Sequence, residues 1–294
     1  MDPMKKILVP VDFSGQTEIT CRYAIEFARP TGAEIMLFHT YFDQIILADS
    51  SFPDTLDMST VYNEELMKDI FRVSERNMME LENRLSEVLK EEGITHISIL
   101  SKVTSGELAH ELKEVCQEFH PDLVVMGTTG EGRSAGVWGK VSTYIISHAK
   151  VPVLTVPDMQ KFRGFGTIML TTDLSDETAV MITGLLKIFA PFSFRIRAVH
   201  FLTRTKKTDE YTKMKELQQR FEAEEKKGLV TFEMVETEDD NQKAIDSYVV
   251  DRKIDLIAFY PHKRSLLYMM FTKNITKKNL YAAKVPLLAI PVKS

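Results

Sequence analysis

The sequence predicts an α/β chain built from two tandem copies of one domain, each a parallel sheet flanked by helices. Three observations predict it. A chain of 294 residues suits two domains of roughly 150 better than one. The chain repeats when laid on itself, a signal that decides architecture before any local reading. Within each copy, short β-branched runs alternate with helical patterns, the signature of βαβ units and a parallel sheet. The composition, 44% hydrophobic and 27% charged with only 13 Gly and 11 Pro, is that of a globular protein and excludes collagen-like or linker-dominated chains.

The repeat is carried by four matches in the same order. Residues 7–14 (ILVPVDFS) align with 168–175 (IMLTTDLS) at an offset of 161, and 34–39 (EIMLFH) with 195–200 (RIRAVH) at the same offset. Further on, residues 121–126 (PDLVVM) align with 254–259 (IDLIAF) at 133, and 150–154 (KVPVL) with 284–288 (KVPLL) at 134. The change of offset means that the first copy carries about 27 extra residues between its second and fourth strands. Gly93 against Gly228, at 135, narrows the insertion to about Phe42 through Met67. Ser50, Ser51, Pro53, Asp54 and Asp57 give this stretch a loop-like composition. It is expected to act as a lid or an inter-domain contact, with an ordinary surface excursion as the alternative.

The elements follow in order. The first strand ends at Asp12, and Phe13-Ser14-Gly15 reads as a turn opening a helix. Glu64 to Glu92 reads as a long charged helix capped by Gly93, and Tyr211 to Lys227 before Gly228 as its shorter partner. Leu108, Leu112, Val115, Cys116 and Phe119 share one helical face, so Cys116 is expected in the core. Leu123 to Met126 is apolar throughout, as a central strand buried on both faces must be. Asp158 to Gly166, polar and carrying two glycines, is the expected linker between domains at 1–158 and 165–294.

In an open parallel sheet, ligands bind beyond the carboxyl ends of the strands, where the strand order reverses. Two sequences fall at such ends. Asp12 offers a carboxylate to a ribose or adenine; alternatively, Asp12 or Ser14 caps the following helix. Asp173 and Ser175 repeat the pattern. The fourth strand runs into residues 127–142, with five glycines in thirteen residues: Gly127, Gly130, Gly132, Gly136 and Gly139. Bare amides at a helix N-terminus form an anion site, and the alternative is a surface loop that uses glycine only for turns. No Gly-Lys-Ser/Thr closes the stretch, so it is not a Walker A loop.

This pattern resembles the universal stress protein family, nearly the whole chain matching once per half, as in tandem-domain members. The resembling features are a first strand ending in Asp and a fourth ending in Gly-x-x-Gly, then a spacer, Gly, a helix and a Val-Pro-Val strand. The resemblance implies a five-stranded Rossmann-like sheet of the adenine nucleotide alpha hydrolase type in each half, with domains pairing through the last strand. It also implies ATP or AMP as ligand, with Mg²⁺ accompanying ATP. Carried over, Pro10, Val11, Asp12, Phe13 and Ser14 line the nucleoside and Val103 meets the adenine. Met126, Gly127, Thr128, Gly130, Arg133, Gly139, Lys140, Val141 and Ser142 surround the phosphates. The chain departs from the family pattern at two points. Eight residues rather than nine separate Gly130 from Gly139, and Lys140 stands where a hydroxyl is expected.

The second half has no glycine in residues 260–274, so its phosphate site is expected to be lost. His262, Lys263 and Arg264 read as a solvated basic face, and Leu266 to Phe271 as core or a pairing surface. His39 and His200 end equivalent strands without metal-ligand spacing and are expected to be structural. No nucleophile elbow and no marked Cys/His pair is present. A net charge near −5 with mixed signs offers no stripe to nucleic acid. Cys21 and Cys116 read as free buried thiols of a reducing compartment. With no apolar secretory segment and no run of the roughly 20 residues that crosses a bilayer, the chain is expected in the cytoplasm. The expected function is a stress-response protein that senses an adenine nucleotide in its first half, as a homodimer or an intramolecular domain pair. The alternative is a scaffold or interaction module with both sites vestigial; weak ATP hydrolysis ranks last.

Overall fold

The computed structural model describes residues 4–41, 56–128, 145–146, 148–157, 162–202, 208–237, 241–261 and 285–291. The first half contains β1 (Lys6–Pro10), α1 (Thr17–Ala28), β2 (Glu34–Tyr41), α2 (Leu56–Glu91), β3 (Ile99–Ser105), α3 (Leu108–Phe119), β4 (Leu123–Gly127) and β5 (Val153–Val156). The second contains β6 (Thr167–Thr171), α4 (Glu177–Ile188), β7 (Arg195–Leu202), α5 (Thr208–Arg220) and α6 (Glu222–Lys226). It continues through β8 (Val230–Glu236), α7 (Asn241–Asp251), β9 (Leu256–Phe259) and β10 (Leu287–Ala289).

All ten strands lie in one sheet in the order β3-β2-β1-β4-β5-β10-β9-β6-β7-β8. Each half is parallel throughout, and the halves meet where β10 pairs antiparallel with β5, Leu288 opposite Leu154. The Thr155 hydroxyl adds a bond to the Leu287 carbonyl across this seam, at 3.2 Å. Pairing through the last strand is thus made within the chain.

Helices cover both faces, and the apolar layer on each face runs across the seam. One face packs α1, α2 and α4 on Ile7, Val9, Ile35, Ile168 and Leu170; the other packs α3 and α7 on Leu8, Val124, Met169 and Ile257. Consecutive strand residues therefore point to opposite faces and are apolar on both, as the unbroken runs require. The repeat extends to strand register. Asp122 Oδ2 accepts the Lys5 and Lys6 amides at 2.7 and 3.1 Å, and Asp255 Oδ2 accepts the Thr167 amide at 2.8 Å. Gly93 and Gly228 close their helices at φ +67 and +71, the left-handed conformation glycine adopts without strain.

Four sequence expectations are corrected. Helix α2 begins at Leu56 rather than Glu64, so residues 56–67 of the insertion are helical. After Pro53 the stretch has neither Pro nor Gly to stop a helix. The single helix expected over Tyr211 to Lys227 breaks at Phe221, whose backbone leaves the helical region (φ −115, ψ 26) while its ring is buried. The linker is not simply polar. Phe165 is only 3% exposed and packs with Phe162 among Tyr23 and Phe27 of α1 and Phe189 and Phe192 beyond α4. Cys116 is half-buried at the edge of its cluster rather than fully in it, because the helix face is centred on Leu112, Val115 and Phe119. No helix among the described residues is long and apolar enough to cross a membrane.

Candidate functional site

The strand order reverses between β1 and β4 in the first half and between β6 and β9 in the second. At the first of these points the chain leaves β1 through Asp12, and α1 begins only at Thr17. Asp12 Oδ1 accepts three hydrogen bonds: the Ser14 amide at 3.1 Å, the Ser14 hydroxyl at 2.7 Å and the Thr17 hydroxyl at 3.0 Å. Phe13, at the bend, takes φ +58. The helix-capping alternative for Asp12 and Ser14 is not what forms. The residue at the helix N-cap is Gln16, without a side-chain cap bond, and Asp12 instead organises the whole turn ahead of it. Gln16 is buried and donates from Nε2 to the Val156 and Pro157 carbonyls at 3.2 and 3.0 Å, binding this turn to the end of β5.

Across the reversal, Met126 and Gly127 end β4 in register with Thr155 and Val156. The Thr128 amide donates to the Val156 carbonyl at 3.1 Å. Thr128 is 2% exposed, and its hydroxyl has no hydrogen-bond partner among the described residues. Val103 lies on β3 directly opposite His39 of β2 and is half-buried. His39 Nδ1–H donates to the Val11 carbonyl at 2.8 Å, and the imidazole lies against Phe13 with centroids 4.4 Å apart. Burial holds His39 below its ordinary value, against the opposing effects of the Val11 bond and the Asp12 charge.

The structure therefore brings together Pro10, Val11, Asp12, Phe13, Ser14, Val103, Met126, Gly127 and Thr128 at the carboxyl edge of the first half. Gly130, Arg133, Gly139, Lys140, Val141 and Ser142 lie outside the described residues, as do Asp158, the basic residues His262 to Arg264 and the apolar run Leu266 to Phe271. Sequence reasoning missed Gln16 and Thr17. Thr17 had a signal, since Thr178 repeats it at the same offset as Asp12 and Asp173.

The second half builds the corresponding edge from different atoms. Thr172, aligned with Val11, accepts the Leu174 amide at 2.8 Å and lies 2.6 Å from the Thr178 hydroxyl. Asp173 is exposed and its Oδ1 accepts the Ser175 amide at 3.1 Å. At the position of Gly127 stands Tyr260, part-buried and packed against the core. The thiols add no nucleophile: burial pushes Cys21 up to about 12 and Cys116 up to about 11. Among the described residues no group of three His, Cys, Asp or Glu side chains is arranged to hold a metal.

The chain matches the universal stress protein family over residues 3–157. It is similar to universal stress protein MJ0531 of Methanocaldococcus jannaschii, 26% identical over 158 residues that make up 53% of this chain and 84% of that protein. It is also similar to MJ0577 of the same organism, 23% identical over 153 residues, 52% of this chain and 94% of that one. Among solved structures, a universal stress protein from Archaeoglobus fulgidus superposes over 98% of this chain and 97% of its own, with TM-score 0.65 and 14% identity. One described as a putative universal stress protein from Pseudomonas aeruginosa does so over 98% and 93%, with TM-score 0.62 and 15% identity. At such identities the likeness is one of fold, and it extends over both halves.

Proposed function

Because the chain belongs to the universal stress protein family, we propose that it acts in the stress response by binding an adenine nucleotide, ATP or AMP, at the carboxyl edge of its first half. The observation that carries this is that the paired strands β1 and β4 end side by side in the Asp12 turn and in Gly127 and the buried Thr128, whose hydroxyl has no partner among the described residues. A strand-order reversal is where open sheets place ligands. Asp12 and Val103 would hold the nucleoside. Gly127, Gly130, Gly139, Lys140 and Ser142 would face the phosphates, with Mg²⁺ accompanying ATP. Within the proposed division at 1–158 and 165–294, only the first unit binds, since Tyr260 occupies the second reversal.

We assign binding rather than turnover, in a cytoplasmic protein whose two cysteines are unpaired. The β5–β10 seam supports an intramolecular domain pair over a homodimer. Titration calorimetry of the intact chain with AMP and ATP is expected to give one site per chain. Gly127→Tyr, which copies the second half, is expected to abolish it. Absence of heat and of any thermal shift at millimolar nucleotide would refute the assignment and leave the paired scaffold.

A further inference from the structure

His39 and His200 occupy the same place in the two halves and make the same bond. Each Nδ1–H donates to the carbonyl of the residue before the turn aspartate, Val11 or Thr172, at 2.8 Å. A carbonyl can only accept, so this bond keeps the proton on Nδ1 and leaves Nε2 as a lone-pair acceptor in the neutral ring.

The surroundings of the two Nε2 atoms differ. In the second half, Nε2 of His200 is buried 3.7 Å from the Glu210 carboxylate, whose Oε2 is also buried, and neither atom has a hydrogen bond among the described residues. The connection from β7 to α5 is short in sequence, and Glu210 of α5 lies beside His200 of β7. In the first half, 14 residues separate β2 from α2, from Tyr41 to Leu56. His39 there stays part-exposed, and among the described residues Nε2 has no hydrogen bond. Its ring is bounded by Phe13 and stands in strand register with Val103.

We propose that His39 is a specificity-determining residue of the nucleotide site, its Nε2 accepting a hydrogen bond from the exocyclic amine of a 6-amino purine lying beside Val103. This rests on the nucleotide-binding assignment above. A 6-oxo purine presents a carbonyl oxygen at the same position, so two acceptors would face each other, and sites built around such a bond discriminate strongly against the mismatched base. Burial keeps the imidazole in its neutral, accepting form at neutral pH. The second half cannot read a base in this way, because Glu210 occupies the approach to His200.

The test is calorimetric titration of the full chain with AMP and with inosine monophosphate, for wild type, His39→Asn and His39→Gln. An asparagine amide reproduces the Nδ1 donor to Val11 but offers nothing at the Nε2 position. A glutamine carries its amide oxygen close to that position. Wild type is expected to prefer AMP at least about tenfold, the scale of one lost hydrogen bond with an unmade partner. His39→Asn is expected to bind both within about twofold, and His39→Gln to restore the preference. Full preference retained by a folded His39→Asn chain would overturn the assignment and reduce His39 to a positioning residue. Equal affinity of wild type for both ligands would overturn it too while leaving nucleotide binding intact, whereas binding of neither would remove both.

Discussion

The turn after β1 and the turn after β6 have nearly the same backbone, with Phe13 at φ +58 and Leu174 at φ +60, yet they are held by different atoms. In the first half one carboxylate oxygen of Asp12 gathers Ser14 and Thr17. In the second the Thr172 hydroxyl, one residue earlier, binds Leu174 and meets Thr178, and Asp173 is left exposed with a single amide. A left-handed non-glycine residue costs about 1–2 kcal/mol, and either set of bonds suffices to offset it. A negative charge is therefore not needed to build this strand end. The carboxylate is drawn into the turn in the first half and left exposed in the second, which is the difference the proposed site rests on. The same division recurs at the neighbouring positions, where Gly127 is matched in the second half by Tyr260, and part-exposed His39 by buried His200.

The comparison presumes that the halves are one cooperative body, and the largest expected effect tests this. Phe165 is buried between Phe27 of one half and Phe189 and Phe192 of the other. Phe165→Ala is expected to cost about 3–5 kcal/mol in urea unfolding, the range for an aromatic deleted from a packed core. The chain has one tryptophan, Trp138, in the first half. Its fluorescence and the far-UV circular dichroism of the whole chain should therefore share a midpoint in wild type. Separate midpoints would mean that the halves unfold independently.

The turns themselves give a smaller effect. Asp12→Asn weakens three bonds to an ionised group, and bonds to charged groups contribute about 1.5–3 kcal/mol. Asp173→Asn disturbs one exposed amide bond and should cost under about 1 kcal/mol. Paired denaturant curves of the two variants read the difference directly, and equal losses would show that the carboxylate has the same structural part in both halves.

Much of this was legible in the sequence, because both copies had to bury the same two-sided apolar strands and start them with the same aspartate; the aligned Asp122 and Asp255 do hold equivalent amides. Asp12 and Gly127 were read as strand ends from the apolar runs before them, and the structure sets the order reversal between those two strands. What did not follow were contacts between distant segments. Phe162 and Phe165 sit among polar and glycine neighbours, so composition hid the aromatic cluster between the halves, in which Phe165 is buried and Phe162 partly so. Gln16 looks like an exposed helix start, and only the fold brings the Val156 and Pro157 carbonyls to its amide. The early start of α2 was masked by Ser50, Ser51 and Pro53 just upstream, since a loop-rich average hides the residue at which helix breakers stop.

The smallest expected effect lies at the other end of the first half. Glu92, just past α2, pairs with Arg22 of α1 and with Arg29 just past it, and Glu26 pairs with both arginines. The aligned positions of the second half hold Lys227, Thr183, Ala190 and Lys187, so nothing equivalent forms there. The hydrogen bonds from Arg22 and then Arg29 hold the Glu92 carboxyl below its ordinary value of 4.5. A carboxylate whose folded value is depressed adds stability above the unfolded value and loses it as pH falls below about 4.5 toward the folded value. The cluster is largely solvent-facing and screened, so Glu92→Gln should cost only about 0.2–1 kcal/mol at neutral pH. That loss should shrink in 1 M salt and vanish once both forms are protonated at low pH. Denaturant midpoints measured from pH 7 down to pH 3 check the sign: a wild-type curve that runs parallel to Glu92→Gln across the acid range would mean that the cluster adds nothing to the first half beyond what the second half has without it.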